Sequence, residues 1–124
     1  VDAATREGDK VRANAARALG HLARAVDFDA SPARRAWLAD AANALASCLA
    51  VGNAKVQWNA CHACASLFLN RTARGAEANW APLVLRMLLM LLRDARHFKI
   101  RAHAAAALAA PQTREAFGDA YADV

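Results

Sequence analysis

Residues 54–67 read Ala54-Lys55-Val56-Gln57-Trp58-Asn59-Ala60-Cys61-His62-Ala63-Cys64-Ala65-Ser66-Leu67. Val56, Ala60, Ala63 and Cys64 stand at i, i+4, i+7 and i+8, the spacing that lines one face of an α-helix. The same phrase occurs twice more. Asp9-Lys10-Val11-Arg12-Ala13-Asn14-Ala15-Ala16-Arg17-Ala18-Leu19-Gly20-His21-Leu22 comes before it, and Phe98-Lys99-Ile100-Arg101-Ala102-His103-Ala104-Ala105-Ala106-Ala107-Leu108 after it. Lys55 follows Lys10 by 45 residues, and Lys99 follows Lys55 by 44. Val11, Val56 and Ile100 coincide in this frame. So do Ala15, Ala60 and Ala104, then Ala18, Ala63 and Ala107, then Leu19, Cys64 and Leu108. Three copies in one register point to a helical repeat.

Other helices lie between the copies. Ser31-Pro32 is a start signal, because Ser caps and Pro suits the first helical position. The helix after it runs to about Ala50 with Leu38, Ala42, Leu45 and Leu49 inward, and Gly52-Asn53 stops it. Another begins near Pro82, after Asn79-Trp80-Ala81, runs to about Arg93 and is apolar nearly all round. Loops fall at Val26–Ala30, Asn70–Asn79 and Asp94–His97. The unit is therefore helix A, a short turn and helix B. The expected organisation is a leading B helix over 9–25, A/B pairs over 32–69 and 80–110, and the start of a further A helix over 113–124. A single pair cannot bury its own face, so neighbours must stack to complete the core. Val1 in place of Met, and an end at Val124 without a polar tail, read as ends cut from a longer chain.

Composition agrees with helix. Of 124 residues, 36 are Ala and only 5 Gly and 3 Pro. The net charge of +5 permits contact with nucleic acid, acidic protein or anionic lipid, yet the longest basic run is only Arg34-Arg35. The most apolar run, Leu83 to Leu92, is too short to span a bilayer. Three cysteines, an odd number at helical spacing, do not describe a disulfide framework and fit a reducing, intracellular setting.

The phrase Asp9-x-Val11-Arg12-x-x-Ala15-x-x-Ala18-Leu19-Gly20-x-Leu22 resembles the general HEAT-repeat motif, and the period falls in the range of about 40–47 residues typical of HEAT and armadillo repeats. Lys55-Val56-Gln57-Trp58-Asn59, Cys61-His62-Ala63 and Leu67-Phe68-Leu69-Asn70 are similar to a segment of the HEAT repeat-containing protein six family. Trp80-Ala81-Pro82, Leu91-Leu92-Arg93-Asp94 and Phe98-Lys99-Ile100-Arg101 continue the likeness in the same order. The resemblance implies an all-α fold, an α-α superhelix of the HEAT/armadillo-like solenoid class, in an intracellular scaffold without catalytic residues or cofactors. More Ala and Arg stand here than that pattern leads one to expect.

The candidate binding residues follow from the repeat. Lys10, Lys55 and Lys99 are the only lysines, and all three are equivalent. Stacked B helices would set them in a row able to meet an acidic peptide or a phosphate backbone. The simpler explanation is a solvated residue beside the A–B turn, kept for solubility. Arg17, Trp58 and His62 complete the candidate partner-binding set, Trp58 as a stacking platform. Asn14, Asn59 and His103 are equivalent too, and suggest an inter-repeat ladder fixing the stacking register. Arg12, Gln57 and Arg101 form a further row. Its turn-Asp partner is missing after the first copy, where Asp9 gives way to Ala54 and Phe98.

Other constellations read as structural. Cys61 and Cys64 could supply two of zinc's roughly four ligands. No second pair stands at suitable spacing, and Cys64 shares a core position with Leu19 and Leu108. Asn70-Arg71-Thr72 matches a glycosylation sequon without a secretory signal beside it. Trp37 and Trp80 suit packing between helices. No P-loop, elbow glycines or nucleophile triad is present. The expected function is a non-catalytic protein–protein scaffold, with other proteins as partners and no membrane or small-molecule substrate. The alternatives are a basic solenoid on RNA or DNA backbone and a structural subunit of a large assembly.

Overall fold

A computed structural model of the chain describes residues 2–73 and 80–111, with side chains from Gly8 onward. The further helix expected over 113–124 lies outside the described residues. Five α-helices appear: α1 Asp2–Ala25, α2 Pro32–Val51, α3 Ala54–Leu69, α4 Ala81–Asp94 and α5 Phe98–Ala109, with a 3₁₀ turn at Arg71–Ala73. The described residues contain no strand.

The helix starts have identifiable causes. Ser31 is extended, and its Oγ accepts from the backbone N–H of Arg34 at 3.2 Å, with Pro32 at the first helical position. Asn53 does more than stop α2. Its Oδ1 accepts from Val56 N at 3.0 Å and starts α3. His97, the equivalent position one unit on, caps α5 by accepting at Nδ1 from Lys99 N at 3.2 Å. The leading helix begins at Asp2, not at Asp9. Ala3, Ala4, Arg6 and Glu7 all favour helix, and no breaker separates them from the repeat.

The helices pack in a regular order. α3 lies between α1 and α5, α2 packs on α3, α4 packs on α5, and α2 lies against α4. One continuous core runs through them, with Leu45, Leu49, Cys61, Cys64, Leu67, Val84, Leu85 and Leu88 fully buried. Each Leu or Val removed from water contributes about 1.5–3 kcal/mol. Trp37 stacks on the buried Phe28, with ring centroids 5.7 Å apart. Trp80 packs on Phe68 and donates Nε1–H to Ala73 O at 3.1 Å. Both tryptophans thus pack between elements.

The equivalent stripes are not equally buried. Val56, Ala60, Ala63 and Cys64 are inside, as are Ile100, Ala104, Ala107 and Leu108, because α2 covers α3 and α4 covers α5. On α1, Val11 is 65% exposed, Leu22 50%, and Ala15 and Ala18 also face solvent. No described helix lies over them. What α1 buries instead is Ala13, Ala16, Gly20 and Ala23, the face it turns to α3. Gly20 is needed there, since a Cβ on it would stand 3.0 Å from Ala63 Cα.

Gly52 ends α2, as expected. Its φ of −71° is ordinary, so no left-handed cap ends α2. The constraint is space, because a Cβ on Gly52 would run into Cys48 O and stand 2.6 Å from Val56 Cγ1. Gly52→Ala is therefore expected to cost about 2 kcal/mol although its backbone angles suit Ala. A urea midpoint equal to the parent's would contradict that steric account.

Candidate partner-binding face

The polar stripe of each B helix repeats at i, i+4, i+7 and i+11. On α1 it is Lys10, Asn14, Arg17 and His21, and on α3 it is Lys55, Asn59, His62 and Ser66. On α5 it begins with Lys99 and His103 and fades into Ala106 and Ala110. Because α1, α3 and α5 are neighbours in that order, the three stripes share one side of the molecule. A groove of about 460 Å³ runs between the first two. Gly20 and Ala63, at the closest approach of the helices, lie in it. Asn14, Arg17 and His21 border it from α1, and Lys55, Trp58, Asn59, His62 and Ser66 from α3. None of these is a carboxylate. Arg17 and Lys55 are exposed and form no ion pair among the described residues.

Trp58 sits at the centre of this face and is fixed by α5. His103 stacks on it at 5.7 Å between centroids with 11° between planes, and Lys99 Nζ stands 5.5 Å from its ring centre. His62 meets His103 at 4.7 Å. Partial burial, then His62 and Lys99 beside it, lower the pKa of His103. The ring therefore stacks as the neutral imidazole at neutral pH. The ammonium over an indole contributes about 0.5–1 kcal/mol at an exposed site. Lys55, Lys99, Arg17, Trp58 and His62, all expected from the sequence, gather here, and Lys10 lies one turn before Asn14 on the same stripe.

The ladder differs from expectation. Asn59 Nδ2 donates to Lys55 O of its own helix at 2.8 Å, and no hydrogen bond joins Asn14, Asn59 and His103. A polar side chain inside a helix has the carbonyl one turn back within easy reach, and that local bond wins. Side-to-side registry rests instead on the Trp58–His103 stack and the Gly20–Ala63 contact.

A second row does make repeated bonds. Gln57 Nε2 donates to Leu49 O at 3.1 Å, and Arg101 Nη1 donates to Ala95 O at 2.6 Å and Arg96 O at 3.3 Å. Both reach back to the carbonyl end of the preceding A helix or its turn, where a donor is welcome and a cation also meets the negative end of the helix dipole. The sequence carries the signal, a long donor at the same place in each copy, and its acceptors are these carbonyls where a turn Asp was expected.

The sequon has a structural explanation. Asn70, the only buried polar residue described, donates from Nδ2 to Ala23 O and Val26 O, both at 2.7 Å. Its Oδ1 accepts from Thr72 N at 2.9 Å and Thr72 Oγ1 at 2.7 Å, and Thr72 Oγ1 accepts from Phe28 N at 3.0 Å. The nitrogen a glycan would need is inside and fully engaged.

The cysteines are free thiols. Burial pushes Cys61 up to about 12 and Cys64 higher still. No group of three or more His, Cys, Asp or Glu is placed to hold a metal ion among the described residues. At pH 8 only about one Cys61 in ten thousand is a thiolate. Cys48, half-buried, is expected to be the one thiol that a disulfide reagent labels in the folded chain. The other two should appear only in denaturant, and three reactive thiols in buffer would contradict the packing of α3.

The chain is 32% identical over 81 residues to a protein of Dictyostelium discoideum described as uncharacterised. The match covers 56% of this chain and 5% of that protein. No family model matches, and no solved structure matches. No described helix is long and apolar enough to cross a membrane.

Proposed function

We propose that the chain is a HEAT-type segment of an α-α superhelix and acts as a non-catalytic intracellular scaffold, binding other proteins through the face of α1, α3 and α5. One observation carries this reading. The repeat-equivalent polar stripes fall on one side around Trp58, while the apolar stripes of α3 and α5 lie in the core. A repeated, pre-ordered face with an aromatic centre and a polar surround is what a partner surface requires. It needs no cofactor or small-molecule substrate.

The test is capture of partners by the full-length protein with and without nuclease, read by mass spectrometry. The scaffold reading expects one protein set to survive nuclease and to be lost when Lys10, Lys55 and Lys99 are changed together to Ser. Collapse of the set on nuclease treatment would instead make the face a binder of nucleic-acid backbone.

A further inference from the structure

We propose that the groove between α1 and α3 binds an extended acidic peptide, its carboxylates on Arg17 and Lys55 and an apolar side chain against Trp58. This deepens the scaffold reading and rests on it. Three observations lead there. The first is charge, because Arg17 and Lys55 border the groove from opposite walls without an ion pair, and no carboxylate lines it. Such a concavity concentrates anions and rewards a charge-assisted bond to each cation.

The second is the mixture of donors and acceptors. Asn59 uses one Nδ2 hydrogen on Lys55 O, leaving its second hydrogen and Oδ1 to pair with a backbone that both accepts and donates. A phosphate group has no hydrogen to offer that oxygen, and an RNA could reach it only with a 2′-OH or a base edge, whereas a peptide carries an N–H at every residue. Acidic protein is thereby favoured over nucleic acid. The third is the platform. Trp58 borders the groove while His103 and Lys99 hold it from α5, so its ring is ordered before a ligand arrives. Pre-ordering reduces what binding costs in side-chain freedom.

The experiment is fluorescence anisotropy of the 124-residue chain with a labelled peptide of alternating Glu and Leu. The comparators are the same peptide with Gln for Glu and a single-stranded RNA. The expected result is saturable, salt-sensitive binding of the Glu peptide, with the Gln peptide weaker by about tenfold or more. Arg17→Glu and Lys55→Glu should each weaken the Glu peptide by about tenfold, with melting temperatures like the parent's because both side chains are exposed. Failure of the Glu peptide to bind, equal affinity for the Gln peptide, indifference to both charge reversals, or tighter binding of the RNA would each overturn the proposal. The two readings separate cleanly. If the Glu peptide fails while nuclease-resistant partners are still captured, the scaffold reading stands and the acidic class falls.

Discussion

Ala63→Glu is expected to unfold the chain, while Ala18→Glu, at the equivalent position one unit earlier, is expected to leave its stability within about 0.5 kcal/mol. Ala63 is 1% exposed, and its Cα would stand only 3.0 Å from a Cβ on Gly20, so a longer side chain has nowhere to go between α1 and α3. A carboxylate forced in would be stripped of water, or would take up a proton, and would push the helices apart. Those costs together reach about 5 kcal/mol or more, comparable with the whole stability of an ordinary domain. Ala18 faces solvent because no described helix covers that stripe of α1. Urea titration followed by circular dichroism reads both variants. Equal midpoints for the two would contradict the register that places Ala18 and Ala63 in one row with different neighbours.

Asn70→Asp should be nearly as damaging, although it changes one atom. The Nδ2 hydrogens that now satisfy Ala23 O and Val26 O would be replaced by an oxygen facing two carbonyls. A buried acceptor without its donor costs about 1–3 kcal/mol, and like dipoles add repulsion. The expected loss is about 4 kcal/mol, roughly 15 °C in melting temperature for a chain of 124 residues. Asn70→Ala should lose somewhat less, since it removes the bonds without opposing the carbonyls. Amide exchange locates the damage. Phe28 N and Thr72 N, which donate into this network, should lose protection before the amides of α4 do. An Asp variant as stable as the parent would mean that Asn70 does not join the end of α1 to the 3₁₀ turn.

How much of this was readable in advance depended on how local the determinants are. Ser31-Pro32 announced a helix because cap and proline act within one turn. The repeat frame gave the order of B helices, because apolar spacing persists in every copy. The start of α1 was missed because nothing punctuates Asp2 to Gly8. Burial was not local either. Val11 and Val56 sit in the same phrase, yet one is 65% exposed and the other buried, since only α3 has a helix packed over that stripe.

The candidate face divided in the same way. Lys55 and Lys99 follow from repeat equivalence and Trp58 from its aromatic ring, and the structure brings them together with His62 and His103. The amide ladder failed because Asn59 has an acceptor four residues back, a competitor that the row pattern does not reveal. Asn70 looked like an ordinary loop residue because one of its partners, Ala23 O, is 47 residues away. Asn53 and His97 were in principle visible as equivalent caps, had the frame been extended one residue before each B helix.

Three copies of one helix lie side by side in the order α1, α3, α5. Positions 17, 62 and 106 are equivalent and lie on α1, α3 and α5. Spin labels on cysteines placed there in pairs, with Cys48 changed to Ser, test the row through their dipolar coupling. Packed helices stand about 8–10 Å apart, so the 17–62 and 62–106 separations should be alike and the 17–106 separation about twice as long. A 17–106 separation no longer than the other two would put α1 against α5, closing the helices into a bundle and contradicting the row.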